Sequence, residues 1–323
     1  METKHMKVVL TGGTGLIGSR VSQYLAQQDH EIVALTRRAR QNAEHDAGQD
    51  AKQKSPHGLN VRFVEWDARS LGAWAKEVDG ADAIVHLAGE GIFDSRWTDD
   101  MKKRITQSRV NTTRLLVSAV AEANAKPQLF VSASAVGYYG DRKDESTDED
   151  TSAGKGFLAE VCVQWEAEAH MAAQYGCRVA KPRIGIVLDA HGGALKSMVP
   201  IFRAFLGMPL GSGHQWLPWI HIEDVVRGLV YPLENIRLEG AYNLASPHPL
   251  RMGEFCSALG QALGRPSWSW LSVPEFALRL GMGEAAEALI GGQKIIPKKL
   301  LDAGFSFSFP TIAPALHNIF SEQ

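Results

Sequence analysis

The chain has 323 residues, of which 45% are hydrophobic and 22% are charged, and its formal net charge is −2. This composition is typical of a globular protein with one large or two modest domains, and the charge provides no general attraction to nucleic acid or an acidic membrane. No apolar stretch approaches the roughly 20 residues of a membrane span, and the polar N-terminus precedes an apolar run only one strand long. The sequence therefore predicts a cytoplasmic protein with no nucleic-acid or membrane partner.

A glycine-rich turn joins the first two predicted strands. Residues 6–11 and 31–36 are apolar, strand-like runs, and residues 19–27 have the apolar spacing of a helix. Gly12, Gly15 and Gly18 allow a tight turn, close approach of a pyrophosphate and close packing of the helix on the strand. The helix N-terminus offers unpaired N–H groups to phosphates. The predicted dinucleotide-binding residues of this turn are Gly12, Gly13, Thr14, Gly15, Leu16 and Ile17.

The end of the second strand indicates which dinucleotide binds. It reads Thr36-Arg37-Arg38, without the acidic residue that would hold a ribose 2′-hydroxyl. Arginine at this place pairs with a 2′-phosphate, which favours NADP over NAD. The alternative interpretation of the two arginines is a solvated basic loop.

Strands and helices then alternate. Residues 39–60 form a polar surface loop, 61–65 a third strand and 83–87 a fourth, which ends in Ala88-Gly89-Glu90. Asp67 follows the third strand and lies beside the adenine or caps the next helix. A long helix lies within residues 97–124, and its basic residues form a solvated face or contact phosphate. Further strands are predicted at 128–132 and 178–188, with a helix at 157–175 and a loop or lid at 141–156.

This alternation predicts an α/β fold with a Rossmann-type, doubly wound parallel sheet. Beyond residue 189 the pattern loosens into helices at 194–205, 221 onward, 252–263 and 274–290, with a short strand at 241–244. We expect a smaller C-terminal α+β substrate part. The predicted units are a nucleotide-binding domain at 6–232 and a C-terminal segment at 233–323.

Metal and disulfide sites are not expected. The three cysteines are odd in number and far apart, and the eleven histidines form no HxxxH or HExxH pair. Neither spacing is typical of a zinc site or a disulfide framework.

These features resemble the atypical short-chain dehydrogenase/reductases, most closely the epimerase family proteins, which are NAD-dependent epimerase/dehydratase-like. The resemblance covers nearly the whole chain, and residues 270–318 resemble that family's C-terminal domain of unknown function. The segments that carry it are residues 12–18, 36–38, 86–90, 108–109, 157–166, 211–215, 218–222 and 292–305.

The resemblance implies NADP binding, an unknown small-molecule substrate and a possible homodimer formed through the helices after strands four and five. Arg37 and Arg38 would face the 2′-phosphate. The other cofactor residues that it implies are Leu87, Ala88, Arg104, Arg109 and Val187.

The catalytic residues of the family are incomplete in this chain. Dehydrogenases and epimerases of this kind use a serine with a Tyr-x-x-x-Lys pair on one helix face, where the lysine lowers the tyrosine pKa. Ser134 is a candidate for the serine, but Phe157 and Val161 stand where the pair is expected. The string from Tyr139 to Lys143 lies in a predicted loop, so we interpret it as a chance match.

Three interpretations remain open for the chemistry. In the first, other residues transfer the proton, and the candidates are Tyr138, Tyr139, Glu160, His214 and His221. In the second, the protein binds NADPH without turnover as a regulator or sensor. In the third, the protein is a reductase whose substrate supplies its own acid–base group. The leading prediction is an oxidoreductase or nucleotide-sugar-type epimerase acting on a small substrate. The alternative is a non-catalytic NADPH-binding protein.

Overall fold

One parallel sheet forms the centre of the molecule. A computed structural model describes residues 5–37, 60–93, 95–268 and 271–321. The strands that it assigns to this sheet are β1 (Lys7–Thr11), β2 (Glu31–Thr36), β3 (Val61–Glu65), β4 (Ala83–His86), β5 (Leu129–Ser132), β6 (Ser134–Ala135), β8 (Arg178–Ile184) and β12 (Gly240–Leu244).

Seven of these strands lie side by side in the order β12-β8-β5-β4-β1-β2-β3, and β6 pairs with β8 within the described part of the chain. Every pairing is parallel; for example, Val9 of β1 lies between Val33 of β2 and Ile84 of β4. The predicted Rossmann-type parallel sheet is therefore confirmed. Strand β12 lies after residue 232, so the sheet draws one strand from the segment predicted to be C-terminal.

Helices cover both faces of the sheet. The longer ones are α1 (Leu16–Gln27), α2 (Asp99–Glu122), α3 (Phe157–His170), α4 (Gly193–Arg203), α5 (Ile222–Glu234), α6 (Met252–Ala262), α7 (Glu275–Met282) and α10 (Ile312–Ser321); α8 (Glu287–Ile290) and α9 (Lys298–Asp302) are short. Val8 and Leu10 pack into a core with α1 and α5, whereas Val9 packs into a core with α2. Alternate residues of one buried strand thus supply both cores, as a doubly wound sheet requires.

A smaller α+β part adjoins the sheet. Helices α4, α6 and α10 share an apolar core with β9 (Ile186–Asp189), β10 (Trp216–Leu217) and β13 (Leu250–Arg251). Strand β11 (Trp219–His221) pairs in parallel with β9, and β10 pairs with β13 antiparallel.

Residues 141–156, predicted to be a loop or lid, form a loop that contains one short strand. Strand β7 (Ser146–Thr147), in its middle, pairs in parallel with β14 (Lys294–Ile295). The Arg142 amide donates to the Gly292 carbonyl at 3.0 Å, and the Gln293 side chain donates to the Gly140 carbonyl at 2.6 Å. This loop is therefore fixed to the C-terminal segment, whose residues are about 150 positions away in the sequence.

Two predicted elements were too long. The strand expected at 178–188 is two strands, β8 and β9, because a side chain at Gly185 would lie 2.3 Å from the Pro218 carbonyl oxygen. The helix expected at 274–290 breaks at Gly283, where φ is +64°. The helix expected at 157–175 has the predicted extent, because the α-helix through His170 continues as a 3₁₀ helix, Met171–Tyr175. The polar loop at 39–60 lies outside the described residues except for Asn60.

Candidate cofactor and active site

The glycine turn is built so that β1, β4 and α1 meet without side chains between them. Gly12 has φ +71°, and a Cβ there would lie 2.8 Å from the Leu87 carbonyl carbon. A Cβ on Gly18 would lie 2.1 Å from the Gly12 carbonyl oxygen. Both positions therefore require glycine, Gly12 for its backbone conformation and Gly18 for close helix packing.

The N-terminus of α1 is open to an anionic ligand. Gly15 is the N-cap residue and has no side chain that could cap the helix. Thr14 and Gly15 are exposed, whereas Gly13 is buried and Leu16 and Ile17 are half-buried. The first-turn N–H groups and the positive end of the helix dipole suit a pyrophosphate.

Two contacts hold this turn against the loop after β9. A Cβ on Gly192 would lie 2.7 Å from Leu16 Cδ1, so the leucine occupies that space. Arg20 Nη2 lies 3.4 Å from Oδ2 of Asp189, which is buried. The geometry of the anion site thus depends on β9, which also carries the half-buried Val187.

The end of β2 carries the predicted 2′-phosphate residues. Thr36 is buried and Arg37 is exposed, while Arg38 lies outside the described residues. Arg104 on α2 is also exposed, with its Nε 3.9 Å from Glu90 Oε1. Asp67 caps the turn that follows it, accepting hydrogen bonds from the amides of Arg69 and Ser70.

A buried histidine connects β1, β4 and α2 next to the glycine turn. His86 Nδ1 lies 2.6 Å from Thr11 Oγ1, and Nε2 lies 3.3 Å from Thr112 Oγ1. Burial, with a smaller contribution from Arg109, lowers the pKa of His86 to about 3. The neutral ring therefore acts as a fixed support; Thr11 Oγ1 also accepts the amide hydrogens of Leu87 and Ala88.

Arg109 is a largely enclosed cation at the end of β4. A Cβ on Gly89 would lie 3.2 Å from Arg109 Cζ, and the guanidinium lies 5.4 Å from the Trp165 ring. Arg109 Nη1 donates to the Ile105 carbonyl at 3.2 Å. Burial lowers the pKa of Arg109 although the group stays charged at neutral pH. An enclosed cation of this kind favours an anionic or oxygen-rich ligand.

Ser134 lies in a buried ion-pair network instead of facing open space. Its hydroxyl donates to Glu166 Oε1 at 2.7 Å. Arg183 donates to the same carboxylate through two atoms, at 2.8 and 2.9 Å. Burial opposes the charge on Arg183, but the hydrogen bonds and charge of Glu166 outweigh it and raise its pKa.

Tyr139 extends this network. Its hydroxyl donates to Asn243 Oδ1 at 2.7 Å and accepts from Arg183 Nη1 at 2.8 Å. The side chain has no exposed surface, and burial raises the pKa of the hydroxyl to about 12, against the opposing effect of Arg183. Lys143 lies in a turn with φ +49° and Tyr139 ends a 3₁₀ segment, so the two share no helix face.

Tyr138 differs from its neighbour. Its ring is half-buried and lies 3.4 Å from the Arg183 guanidinium carbon. Among the described residues its hydroxyl has no hydrogen-bond partner. Glu160, in the first turn of α3, is exposed.

The face of α3 that meets Ser134 differs from the one that was predicted. Phe157 and Val161 pack with Trp97 of the loop before α2 in an apolar cluster. Leu158 packs against the same cluster and also lies against Gly137, and Cys162 Sγ lies 3.8 Å from the Ala135 carbonyl oxygen. Burial, and then Glu166, raise the pKa of Cys162 to about 11. A leucine and a neutral thiol therefore stand where the first turns of α3 meet residues 135–137.

The two candidate histidines are separate from this network. His221 is the N-cap of α5, its Nδ1 accepts the Glu223 amide hydrogen at 3.2 Å, and burial lowers its pKa. His214 lies exposed in the loop before β10. No role was assigned to Glu166, Arg183 or Asn243 from the sequence. An arginine in an otherwise buried parallel strand was the available signal, because such a charge needs an acidic partner.

Comparison with known proteins identifies the family. The sequence model of the NAD dependent epimerase/dehydratase family matches residues 8–245. This chain belongs to that family. A second model, of a domain of unknown function (DUF1731), matches residues 273–319, so the predicted resemblance of the C-terminal segment is confirmed.

Relatives are similar over nearly the full length. The chloroplastic homolog of epimerase family protein SDR39U1 from Arabidopsis thaliana is 40% identical over 316 residues, covering 97% of this chain and 86% of that protein. The crystal structure of human epimerase family protein SDR39U1 with NADPH is 33% identical, with a TM-score of 0.84 and coverage of 98% and 100%. UDP-glucuronic acid 4-epimerase from Bacillus cereus, solved with UDP-glucuronic acid and NAD, shares 17% identity and a TM-score of 0.75, which shows the common fold alone.

Proposed function

We propose that the chain binds NADPH across the carboxyl edge of β1, β2 and β4. The observation that carries this proposal is the open α1 N-terminus at a glycine turn, followed by Arg37 where a 2′-hydroxyl-binding acid would stand. The human relative crystallised with NADPH supports the same choice.

The binding residues divide by the part of the cofactor that each would hold. The glycine turn would bind the pyrophosphate, and Arg37 with Arg38 the 2′-phosphate. The proposed cofactor residues are Gly12, Gly13, Thr14, Gly15, Leu16, Ile17, Arg37, Arg38, Leu87, Ala88, Arg104, Arg109 and Val187. When bound, the nicotinamide would supply or accept a hydride.

We infer that the reaction is an oxidation–reduction or a nucleotide-sugar-type epimerisation of a small substrate. Tyr138 is the best placed of the proposed acid–base residues, because its ring is partly exposed and its hydroxyl is not occupied by a described residue. Ser134 and Tyr139 would then orient Glu166 and Arg183 and hence the ring of Tyr138. Glu160 remains a proposed proton donor on the exposed side of α3.

A second candidate function is NADPH binding without turnover, as a regulator or sensor. The observation that favours it is the occupation of both the Ser134 and the Tyr139 hydroxyl by buried partners. Leu158 cannot transfer a proton, and the Cys162 thiol is held neutral by burial.

Equilibrium titration with NADPH and NADH tests the binding proposal. We expect NADPH to bind more tightly than NADH. Arg37→Gln should weaken NADPH binding roughly tenfold to a hundredfold, because a charge-assisted contact to the 2′-phosphate is lost. Its effect on NADH should be small. Arg237→Gln, at an exposed position beyond α5, is the matched control. Equal affinity for the two cofactors would contradict the role of Arg37.

Hydride transfer separates the two candidate functions. The enzyme hypothesis predicts stereospecific transfer of deuterium from 4-deuterated NADPH to the carbonyl carbon of a substrate in a panel of carbonyl compounds and keto nucleotide sugars, with NADP+ formed in equal amount. Tyr138→Phe should abolish that transfer and leave NADPH affinity unchanged. Tight NADPH binding with no transfer across the panel would favour the regulatory function.

A further inference from the structure

The exposed apolar side chains of this protein are concentrated in two short segments. Fourteen large apolar residues are exposed in the described part of the chain, and seven of them lie within residues 193–210 and 263–282. Phe276 and Leu280 are among the most exposed, at 73% and 74%, and stand one turn apart on the same face of α7. Phe205 and Leu206, directly after α4, are 53% and 58% exposed.

Hydrogen bonds join the two segments into one surface. The Trp268 indole donates to the Phe205 carbonyl at 2.8 Å, and its amide donates to Gly207 at 2.8 Å. The Val273 amide donates to the Pro209 carbonyl at 2.9 Å, and α7 begins two residues later. We call the exposed side chains of residues 196–206, 265–268 and 271–280 the α4–α7 surface.

The α4–α7 surface is also basic. Its two segments carry Lys196, Arg203, Arg265 and Arg279 against one acid, Glu275, and Glu287 lies 3.4 Å from Arg279 just beyond them; the local charge is still positive, although the whole chain has a net charge of −2. All four cations belong to exposed residues, and the Arg265 guanidinium stacks 4.9 Å from the Phe205 ring. The average charge, on which the expectation of no membrane partner was based, conceals this local excess.

We propose that the α4–α7 surface docks on an anionic lipid bilayer. Exposed aromatic and aliphatic side chains flanked by cations are the combination that holds a protein at a membrane interface, because apolar burial and attraction to acidic headgroups act together. None of the helices in the described residues has the length and apolar composition needed to span a bilayer. The contact is therefore a surface contact.

The positive charge of the α4–α7 surface also favours an anionic bilayer, rather than a second copy of this chain, as its binding partner. A two-fold symmetric interface places the same patch of each subunit against itself. The excess positive charge of one copy would then face that of the other, and the repulsion would oppose association. An anionic lipid surface has the complementary charge.

Vesicle co-sedimentation tests this proposal on the full chain. The vesicles contain either phosphatidylcholine alone or phosphatidylcholine with phosphatidylglycerol. We expect binding to the anionic vesicles that weakens with added salt, and little binding to the neutral ones. This inference does not depend on the proposed cofactor chemistry.

Two sets of variants separate the apolar contribution from the charge. Phe276→Gln combined with Leu280→Gln should weaken binding to anionic vesicles by roughly tenfold or more. Ile236→Gln is the matched control, because Ile236 is 77% exposed and lies after α5, outside the α4–α7 surface. Lys196→Gln combined with Arg265→Gln should weaken the binding by about fivefold per cation, whereas Arg237→Gln should have no effect.

NADPH affinity and the thermal midpoint provide a check that each variant is folded, since all the changed side chains are exposed. Failure of the wild-type chain to bind anionic vesicles would overturn the proposal. So would equal binding by the wild type and the Phe276/Leu280 double variant. Self-association that the double variant abolishes, in a chain that binds no vesicle, would assign the surface to a second copy and also overturn the proposal.

Discussion

The two halves of the sheet's carboxyl edge are organised in opposite ways. At β1, β2 and β4, glycines line the turn, the N-terminus of α1 has no side-chain cap and Arg37 is exposed. At β5, β8 and β12 polar side chains satisfy one another, because Ser134, Glu166, Arg183, Tyr139 and Asn243 form one buried chain of hydrogen bonds.

This difference indicates which half needs a ligand. Open amides and exposed cations are completed by an anion, whereas a network whose donors and acceptors are paired gains nothing from one. The half formed by β1, β2 and β4, which we call the open half, is therefore the one to which we assign the cofactor. In the other half, two of the groups expected to move protons, Ser134 and Tyr139, belong to a structural network, and Tyr138 lies at its edge.

The largest expected effect comes from removing the negative charge of Glu166 from the buried network. Glu166→Gln leaves the buried Arg183 without its anion and places an N–H donor against another donor. We expect a loss of about 3–5 kcal/mol in the free energy of unfolding, measured by urea denaturation. Glu168→Gln is the control on the same helix, because Glu168 pairs with the exposed Arg114 and should contribute no more than about 1 kcal/mol. Similar losses for the two variants would contradict the network's structural role.

His86, which lies between the two halves, predicts how the free energy of unfolding depends on pH. Its pKa is about 3 in the folded chain and about 6.5 when unfolded, so the unfolded chain binds the extra proton between these values. The free energy of unfolding should therefore fall as pH drops from about 6.5, by about 1.4 kcal/mol per pH unit for this residue. His30 and His221, whose pKa values are also lowered chiefly by burial, act in the same direction.

His86→Asn should reduce that slope by about the contribution of one histidine, when denaturation is followed between pH 4 and pH 7. The exposed His191 provides the control variant His191→Asn. An unchanged slope in His86→Asn would show that the imidazole is not buried in its neutral form.

Two glycines with the same backbone conformation test how closely β1 approaches β4 in the open half. Gly12 has φ +71° and Gly80 has φ +72°, but of the two only Gly12 has a neighbouring atom within 4 Å of the place that an alanine methyl group would take. Gly80→Ala should cost roughly 1 kcal/mol for the backbone conformation alone. Gly12→Ala should cost about 3 kcal/mol, because the methyl also collides with the Leu87 backbone. Equal thermal shifts would contradict the close approach of β1 to β4.

The smallest expected effect distinguishes the adjacent tyrosines. Tyr139→Phe removes an acceptor from Arg183 and a donor from Asn243, and should cost about 2 kcal/mol. Tyr138→Phe should change the free energy of unfolding by less than about 0.5 kcal/mol. Chemical denaturation of the two variants side by side measures the difference. A larger loss for Tyr138→Phe would reverse their assignment.

The sequence was sufficient where the structure is local. The unit from β1 through the glycine turn to β2 was predicted closely, because its turn, helix start and buried strands depend on residues within about one supersecondary motif of each other. The parallel sheet followed from the alternation of strands and helices.

Prediction failed where residues far apart in the chain meet. The break between β8 and β9 depends on the Pro218 carbonyl beside Gly185, and the fixed loop depends on β14 beside β7. The helical spacing of α3 was correct, but its rotation was not: Leu158 and Cys162, rather than Phe157 and Val161, meet the Ser134 segment. A difference of one residue rotates a helix face by about 100°, and spacing alone does not fix that rotation.

Parallel NADPH titrations of folded Gly12→Ala and Tyr139→Phe test the contrast between the two halves most directly. Gly12→Ala should weaken NADPH binding by roughly tenfold or more, because the turn no longer holds its amides in place. Tyr139→Phe, despite its lower stability, should bind NADPH within about twofold of the wild type, since its hydroxyl faces the internal network. Unimpaired binding by Gly12→Ala, or a large loss in Tyr139→Phe, would contradict the assignment of the cofactor to the open half of the sheet.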